Sequence, residues 1–136
     1  MDLVPLLEDG ERPVRLSTVR ALYTLGQSEA IAPVRMFMND SDEYMQGAAF
    51  YALGALGDKD SVPAISLALS DSKAWVRRNA AWALLQLGEA LYLLASMAKD
   101  PDEGVRTFAR QARLHIQAKD KKEVPQAPYR SRRFSR

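Results

Sequence analysis

Val76-Arg77-Arg78-Asn79-Ala80-Ala81-Trp82-Ala83-Leu84-Leu85-Gln86-Leu87-Gly88 reads as a helix followed by its own stop signal. Val76, Ala80, Ala83, Leu84 and Leu87 fall at i, i+4, i+7, i+8 and i+11, which places them on one helix face. Gly88 stands where a residue at positive φ ends a helix. A looser copy, Gly47-Ala48-Ala49-Phe50-Tyr51-Ala52-Leu53-Gly54-Ala55-Leu56-Gly57, lies 31 residues upstream.

The register runs through the chain. Leu25-Gly26, Leu56-Gly57 and Leu87-Gly88 are 31 residues apart, and so are Ala21-Leu22, Ala52-Leu53 and Ala83-Leu84. Val14-Arg15, Met45-Gln46, Val76-Arg77 and Val105-Arg106 follow at 31, 31 and 29, each with an aspartate five residues before it: Asp9, Asp40, Asp71 and Asp100. A period of this length identifies stacked helical units that cannot bury their apolar faces alone. First helices are predicted near 13–25, 43–56, 74–87 and 103–117, second helices near 28–39, 60–70 and 89–99, and a truncated leading helix over 2–9. The aspartates can cap the helices that follow them. Together with Arg15, Arg77 and Arg106 they form a structural ladder, aspartate holding the turn and arginine reaching it, which Gln46 interrupts.

These blocks resemble the HEAT repeats, and more closely the short HEAT-like repeats of phycobilisome lyases, over about residues 3–117. The resemblance implies an all-α, right-handed α-solenoid of about four helical hairpins, of the armadillo-like kind. It also implies a second reading of function, as a bilin lyase subunit or chromophore-protein chaperone.

No catalytic constellation is legible. The chain has no cysteine and one histidine, His115, expected on the surface of the last helix. HEAT-like hydroxylases carry His-Glu motifs for iron, and none occurs here. No glycine-rich phosphate loop is present. Asp40, Asp42, Glu43 and Asp100, Asp102, Glu103 cluster at helix starts, where acids complement the helix dipole. No metal, no cofactor and no enzymatic activity are therefore expected.

A second stripe runs beside the core face. At 100° per residue, Trp75, Arg78, Asn79, Trp82 and Gln86 centre about 255° from Val76. Tyr44 and Tyr51 occupy the same columns one repeat earlier, and Arg20 flanks them. In designed binders built on this repeat, which the chain resembles, these columns form the variable concave surface. Tryptophan, tyrosine and arginine dominate binding hot spots, so Tyr44, Tyr51, Trp75, Arg78, Asn79, Trp82, Gln86 and Arg20 are the expected partner-binding residues. The opposing possibility is that the rings pack across repeat boundaries and leave little free surface.

Charge divides the chain in two. Residues 1–118 carry 12 Lys/Arg against 15 Asp/Glu, whereas 119–136 carry 7 against 2, so the basic character belongs to the end of the chain. Pro125 and Pro128 stop helical continuation there. The expected organisation is a HEAT-like repeat domain over 1–118 and a flexible basic tail over 119–136. In the tail Arg130, Arg132, Arg133 and Arg136 suit nucleic acid or an acidic surface. No apolar run approaches the roughly 20 residues that span a bilayer, and the absence of cysteine fits a cytoplasmic protein. The sequence thus points to a non-enzymatic adaptor or scaffold binding another protein, with nucleic-acid binding through the tail as a further alternative.

Overall fold

A computed structural model describes residues 2–123 of the 136. Among these the long helices are α1 (Arg12–Thr24), α3 (Glu43–Ala55), α5 (Ala74–Leu87) and α7 (Glu103–Glu123). The short ones between them are α2 (Ile31–Arg35), α4 (Val62–Leu67) and α6 (Leu91–Ala95). The described residues contain no strand, and the hairpins stack into an α-solenoid in which α3 packs on α5, α1 on α3 and α5 on α7.

The four long helices lie within a residue or so of their predicted spans, except that α7 continues six residues past 117, through Lys119-Asp120-Lys121-Lys122. The second helices depart from expectation in kind. Each was predicted as one helix, but Ser28–Ala30 and Met36–Asn39 flank α2 as 3₁₀ turns, and Lys59–Ser61 and Ala68–Ser70 flank α4 in the same way. The leading segment is likewise a 3₁₀ helix, Val4–Glu8. Short helices between two turns lack the length to propagate α-geometry on their own. They are held instead by Val34, Ile65 and Leu94, each completely buried.

The core repeats with the sequence. Leu22, Leu53 and Leu84 form one fully buried column, and Met45, Val76 and Val105 another. Each of the first three long helices ends in the same motif: at the third, the Gly88 amide donates to Leu85 O and the Glu89 amide to Leu84 O. Gly88 sits at φ +66°, so the closure satisfies the last carbonyls without a Cβ penalty.

The 29-residue interval is explained at this point. Two residues are missing between Gly88 and Leu91, where the earlier repeats carry a 3₁₀ turn, and Ala90 bridges the shorter connection at φ 53°. A left-handed alanine costs about 1 kcal/mol. Ala90→Gly is therefore expected to raise stability by roughly 0.5–1 kcal/mol in urea melts; an unchanged or lower midpoint would show that the shortened turn carries no strain.

The α3–α5 contact is close because Gly54 faces the Ala83 backbone, and a Cβ at position 54 would lie 2.6 Å from Ala83 Cα. Gly54→Ala should thus destabilise by about 1–3 kcal/mol through overpacking, although alanine is the better helix former by about 1 kcal/mol. Chemical denaturation checks this, and a stabilised variant would mean that the helices part freely.

Candidate functional site

The turns position everything else. Asp9, Asp40, Asp71 and Asp100 each accept, at Oδ1, the amide of the residue two positions on, all four at 2.8 Å. The arginines then reach back from the first helical turn: Arg15 Nη1 donates to Asp9 O at 2.8 Å, Arg77 to Asp71 O at 2.9 Å and Arg106 to Asp100 O at 2.7 Å. Gln46, being shorter, donates to Met38 O at 3.1 Å instead. The ladder is structural, as its spacing indicated.

Ion pairs between hairpins add to it. Arg77 grips the Asp100 carboxylate through Nε and Nη2, at 2.9 and 3.0 Å. Arg35 holds Asp58 in the same way, and Arg78 holds Asp102 at 3.0 and 2.6 Å. Asp58 is pulled below the usual carboxylate range by Arg35 against the opposing effect of burial. At Asp100 burial pushes the pKa up, and the Arg77 fork and the Asp102 amide together outweigh it. The Arg78 guanidinium lowers Asp102 to about 2, with burial opposing and the Val105 amide assisting.

The aromatic stripe lies across these joints. Tyr51 and Trp82 stack at 3.7 Å between centroids with planes 7° apart, and Tyr44 meets Trp75 tilted at 5.8 Å. Gly47 makes the second contact possible, since a Cβ there would overlap the Trp75 indole nitrogen. The rings therefore do pack across the repeat boundary. Even so, Tyr44 keeps 44% and Trp75 40% of its surface exposed, while Tyr51 and Trp82 are half-buried.

A groove of about 360 Å³ opens beside them, lined by Leu16, Val19, Arg20, Tyr23, Ala48, Tyr51, Trp75 and Asn79. Four of the eight expected residues, Arg20, Tyr51, Trp75 and Asn79, thus converge on one space. Tyr44 and Trp82 back onto it through their ring contacts. Arg78 and Gln86 do not line it: Arg78 is committed to Asp102, whose approach is allowed by the missing side chain at Gly104, and Gln86 faces solvent further along α5. Asn79 Nδ2 donates to Trp75 O at 2.8 Å and steadies the tryptophan's own turn.

Two contributors were not read from the sequence. Tyr23 meets Tyr51 at 5.1 Å, so the ring ladder runs Tyr23–Tyr51–Trp82 through three hairpins. Its register equivalents are Gly54 and Leu85, so no aromatic column marks it; only its position three residues after Arg20 does. Arg12 lies 5.1 Å over the Tyr44 ring and donates to Asp42 at 3.1 Å, a long-range pair with no signature in the repeat.

His115 is exposed on α7. Among the described residues no group of His, Asp or Glu could hold a metal ion, and no helix is long and apolar enough to cross a membrane. Arg130, Arg132, Arg133 and Arg136 lie outside the described residues.

A family model described as HEAT repeats matches residues 35–112. No curated protein matches the sequence. Among solved structures, the complex of CpcE and CpcF of phycocyanin lyase from Nostoc sp. PCC7120 is similar at a TM-score of 0.72 and 24% identity, over 85% of this chain and 52% of that one. An engineered protein is similar at 0.64 and 20%, over 85% and 61%. The chain thus spans about half the length of the lyase subunit and under two thirds of the engineered chain. The lyase complex corrects the expectation that the protein is no enzyme. Catalysis is also supplied by holding reactants in a productive geometry, so the lack of a nucleophile and of metal ligands does not decide the matter.

The pH dependence follows from Asp102. Its folded pKa of about 2 lies below the roughly 3.9 of an unfolded aspartate, so its stabilisation is complete above about pH 4 and is lost as pH falls toward 2. Arg78 is 44% exposed, which screens the pair. Asp102→Asn, which keeps a capping oxygen, should cost about 1–2 kcal/mol at pH 7. The gap to the unsubstituted chain should close in urea melts as pH is lowered from 4 to about 2. An equal gap at both ends would place the cost elsewhere.

Proposed function

The chain belongs to the HEAT-repeat family, and we propose that it is a protein-binding module that receives a partner in the groove formed by Arg20, Tyr23, Tyr51, Trp75 and Asn79. HEAT repeats mediate protein–protein contacts, and the observation that carries the finer reading is Trp75. It is a large ring, 40% exposed, seated over Gly47 against a neighbouring tyrosine, on a helical turn whose Trp75 carbonyl accepts from Asn79. Such a ring offers area at little cost in side-chain entropy, because its rotamer is already set. The floor of Leu16, Val19 and Ala48 suits an apolar side chain of the partner, and Arg20 at the edge suits a carbonyl or carboxylate.

A second reading is supported by the likeness to the phycocyanin lyase complex. In it, the chain is a lyase subunit or a chromophore-protein chaperone, and the same groove takes a flat conjugated ligand against its rings. Mixing the protein with a phycobilin and following the visible absorption separates the two: a shifted and intensified band that Trp75→Ala abolishes favours the chromophore.

For the protein-binding reading, capture from native extract with mass spectrometry identifies the partner, and titration calorimetry then compares variants. Trp75→Ala should weaken binding by about 2 kcal/mol, in the hot-spot range, with a melting temperature within about 4 °C of the parent. Trp82→Ala removes a stacked, half-buried ring and should lower stability by about 2–3 kcal/mol. Undiminished affinity in a folded Trp75→Ala protein would move the partner surface away from the groove.

A further inference from the structure

The solenoid uses one of its arginines twice and another only once. Arg77 Nη1 is anchored on the preceding turn, to Asp71 O at 2.9 Å and Ser72 O at 3.1 Å, which aims its Nε–Nη2 edge outward. That edge closes on the Asp100 carboxylate of the next turn. Arg106, one repeat later, is anchored in the same way, to Asp100 O at 2.7 Å and Pro101 O at 2.9 Å. Its Nε–Nη2 edge has no carboxylate among the described residues.

The surroundings differ in a telling manner. In front of Arg106 is a pocket of about 210 Å³ lined by Ala95, Ala98, Ala109, Arg110 and Arg113. The 29-residue register equates Arg110 and Arg113 with Ala81 and Leu84, which are completely buried. Where the earlier repeat has apolar side chains under a following hairpin, this one has two exposed guanidinium groups, unpaired among the described residues. With Arg106 they stand at i, i+4 and i+7, on one face of α7. Residues 124–136 contain no aspartate or glutamate, so that segment offers no acidic side chain to this seat.

We propose that Arg106, Arg110 and Arg113 form a binding site for an acidic side chain of a partner polypeptide. The partner's carboxylate takes the fork of Arg106 as Asp100 takes that of Arg77, and Arg110 and Arg113 neutralise flanking acids. A guanidinium edge fixed in advance suits bidentate recognition of a carboxylate, and lysine cannot reproduce it. The site is on α6 and α7, apart from the aromatic groove on α1, α3 and α5, so either can fail without the other.

The probe is a fluorescein-labelled Gly-Ser-Asp-Pro-Asp-Glu-Gly peptide, which copies the acidic order of the turn seated at Arg77. Fluorescence anisotropy with the full chain at low salt should show saturable binding that the double substitution Arg110→Gln/Arg113→Gln weakens at least tenfold. Arg106→Lys should weaken it at least threefold. Arg15→Gln removes the same charge from an equivalent turn and should leave the affinity within twofold. Because Arg110 and Arg113 are exposed, their replacement tests the site without threatening the fold. Equal affinity for parent and double variant would overturn the proposal and assign these arginines to solvation of the last helix. Loss of binding on Arg132→Gln/Arg133→Gln, with the pocket variant unaffected, would overturn it too.

Discussion

Each long helix follows a turn whose aspartate accepts, at its carboxylate, the amide two residues on. In three of the four turns the aspartate's own carbonyl also receives a guanidinium from the helix that follows. Charge-assisted hydrogen bonds of this kind are worth about 1.5–3 kcal/mol each where water is partly excluded. Their larger consequence is geometric. The side chain that reaches back, Arg77 in α5 and Gln46 in α3, ties down the first helical turn, where Trp75 and Tyr44 stand. In the second repeat the donor is uncharged and reaches a different carbonyl, Gln46 donating to Met38 O.

Close approach is the second constraint, and it is met by removing side chains. Gly54 lets α3 and α5 meet at backbone distance, Gly47 admits the Trp75 indole, and Gly104 admits the Arg78 stem. Glycine inside a helix costs up to about 1 kcal/mol against alanine. The sequence tolerates this at three positions because each opens a contact between hairpins, and in a stack the nearest-neighbour interfaces hold most of the stability. The tryptophan that results is rigid, wide and still partly in water, which are the properties of a contact residue.

Ring packing and surface availability are thus not alternatives here. Tyr51 and Trp82 stiffen the joint by stacking, and Tyr44 and Trp75 meet at an angle that leaves about two fifths of each exposed. The same division explains why the lack of catalytic side chains could not settle whether the chain serves an enzyme. A similar fold recurs in a lyase complex, and a fold by itself does not fix the function built on it.

The sequence by itself determined the period, the ends of the first three long helices and the buried columns. Those depend on interactions within a few residues or on strict repetition, so Leu84, Gly88 and Asp71 announce their roles locally. It also placed Tyr44 beside Trp75 and Tyr51 beside Trp82, because a constant register makes neighbours in space out of positions 31 apart. Only the tertiary structure decided which stripe residues remain available. Arg78 looked like a surface cation and is taken by Asp102, and Tyr23 belonged to no column yet completes the ring ladder. Both outcomes turn on where a side chain leans between hairpins: Arg78 enters the gap left at Gly104 on the facing helix, and Tyr23 leans on Tyr51 of the next hairpin. The two-residue deletion was visible as a spacing of 29, but its site at Ala90 became definite only when the chain had to close the turn.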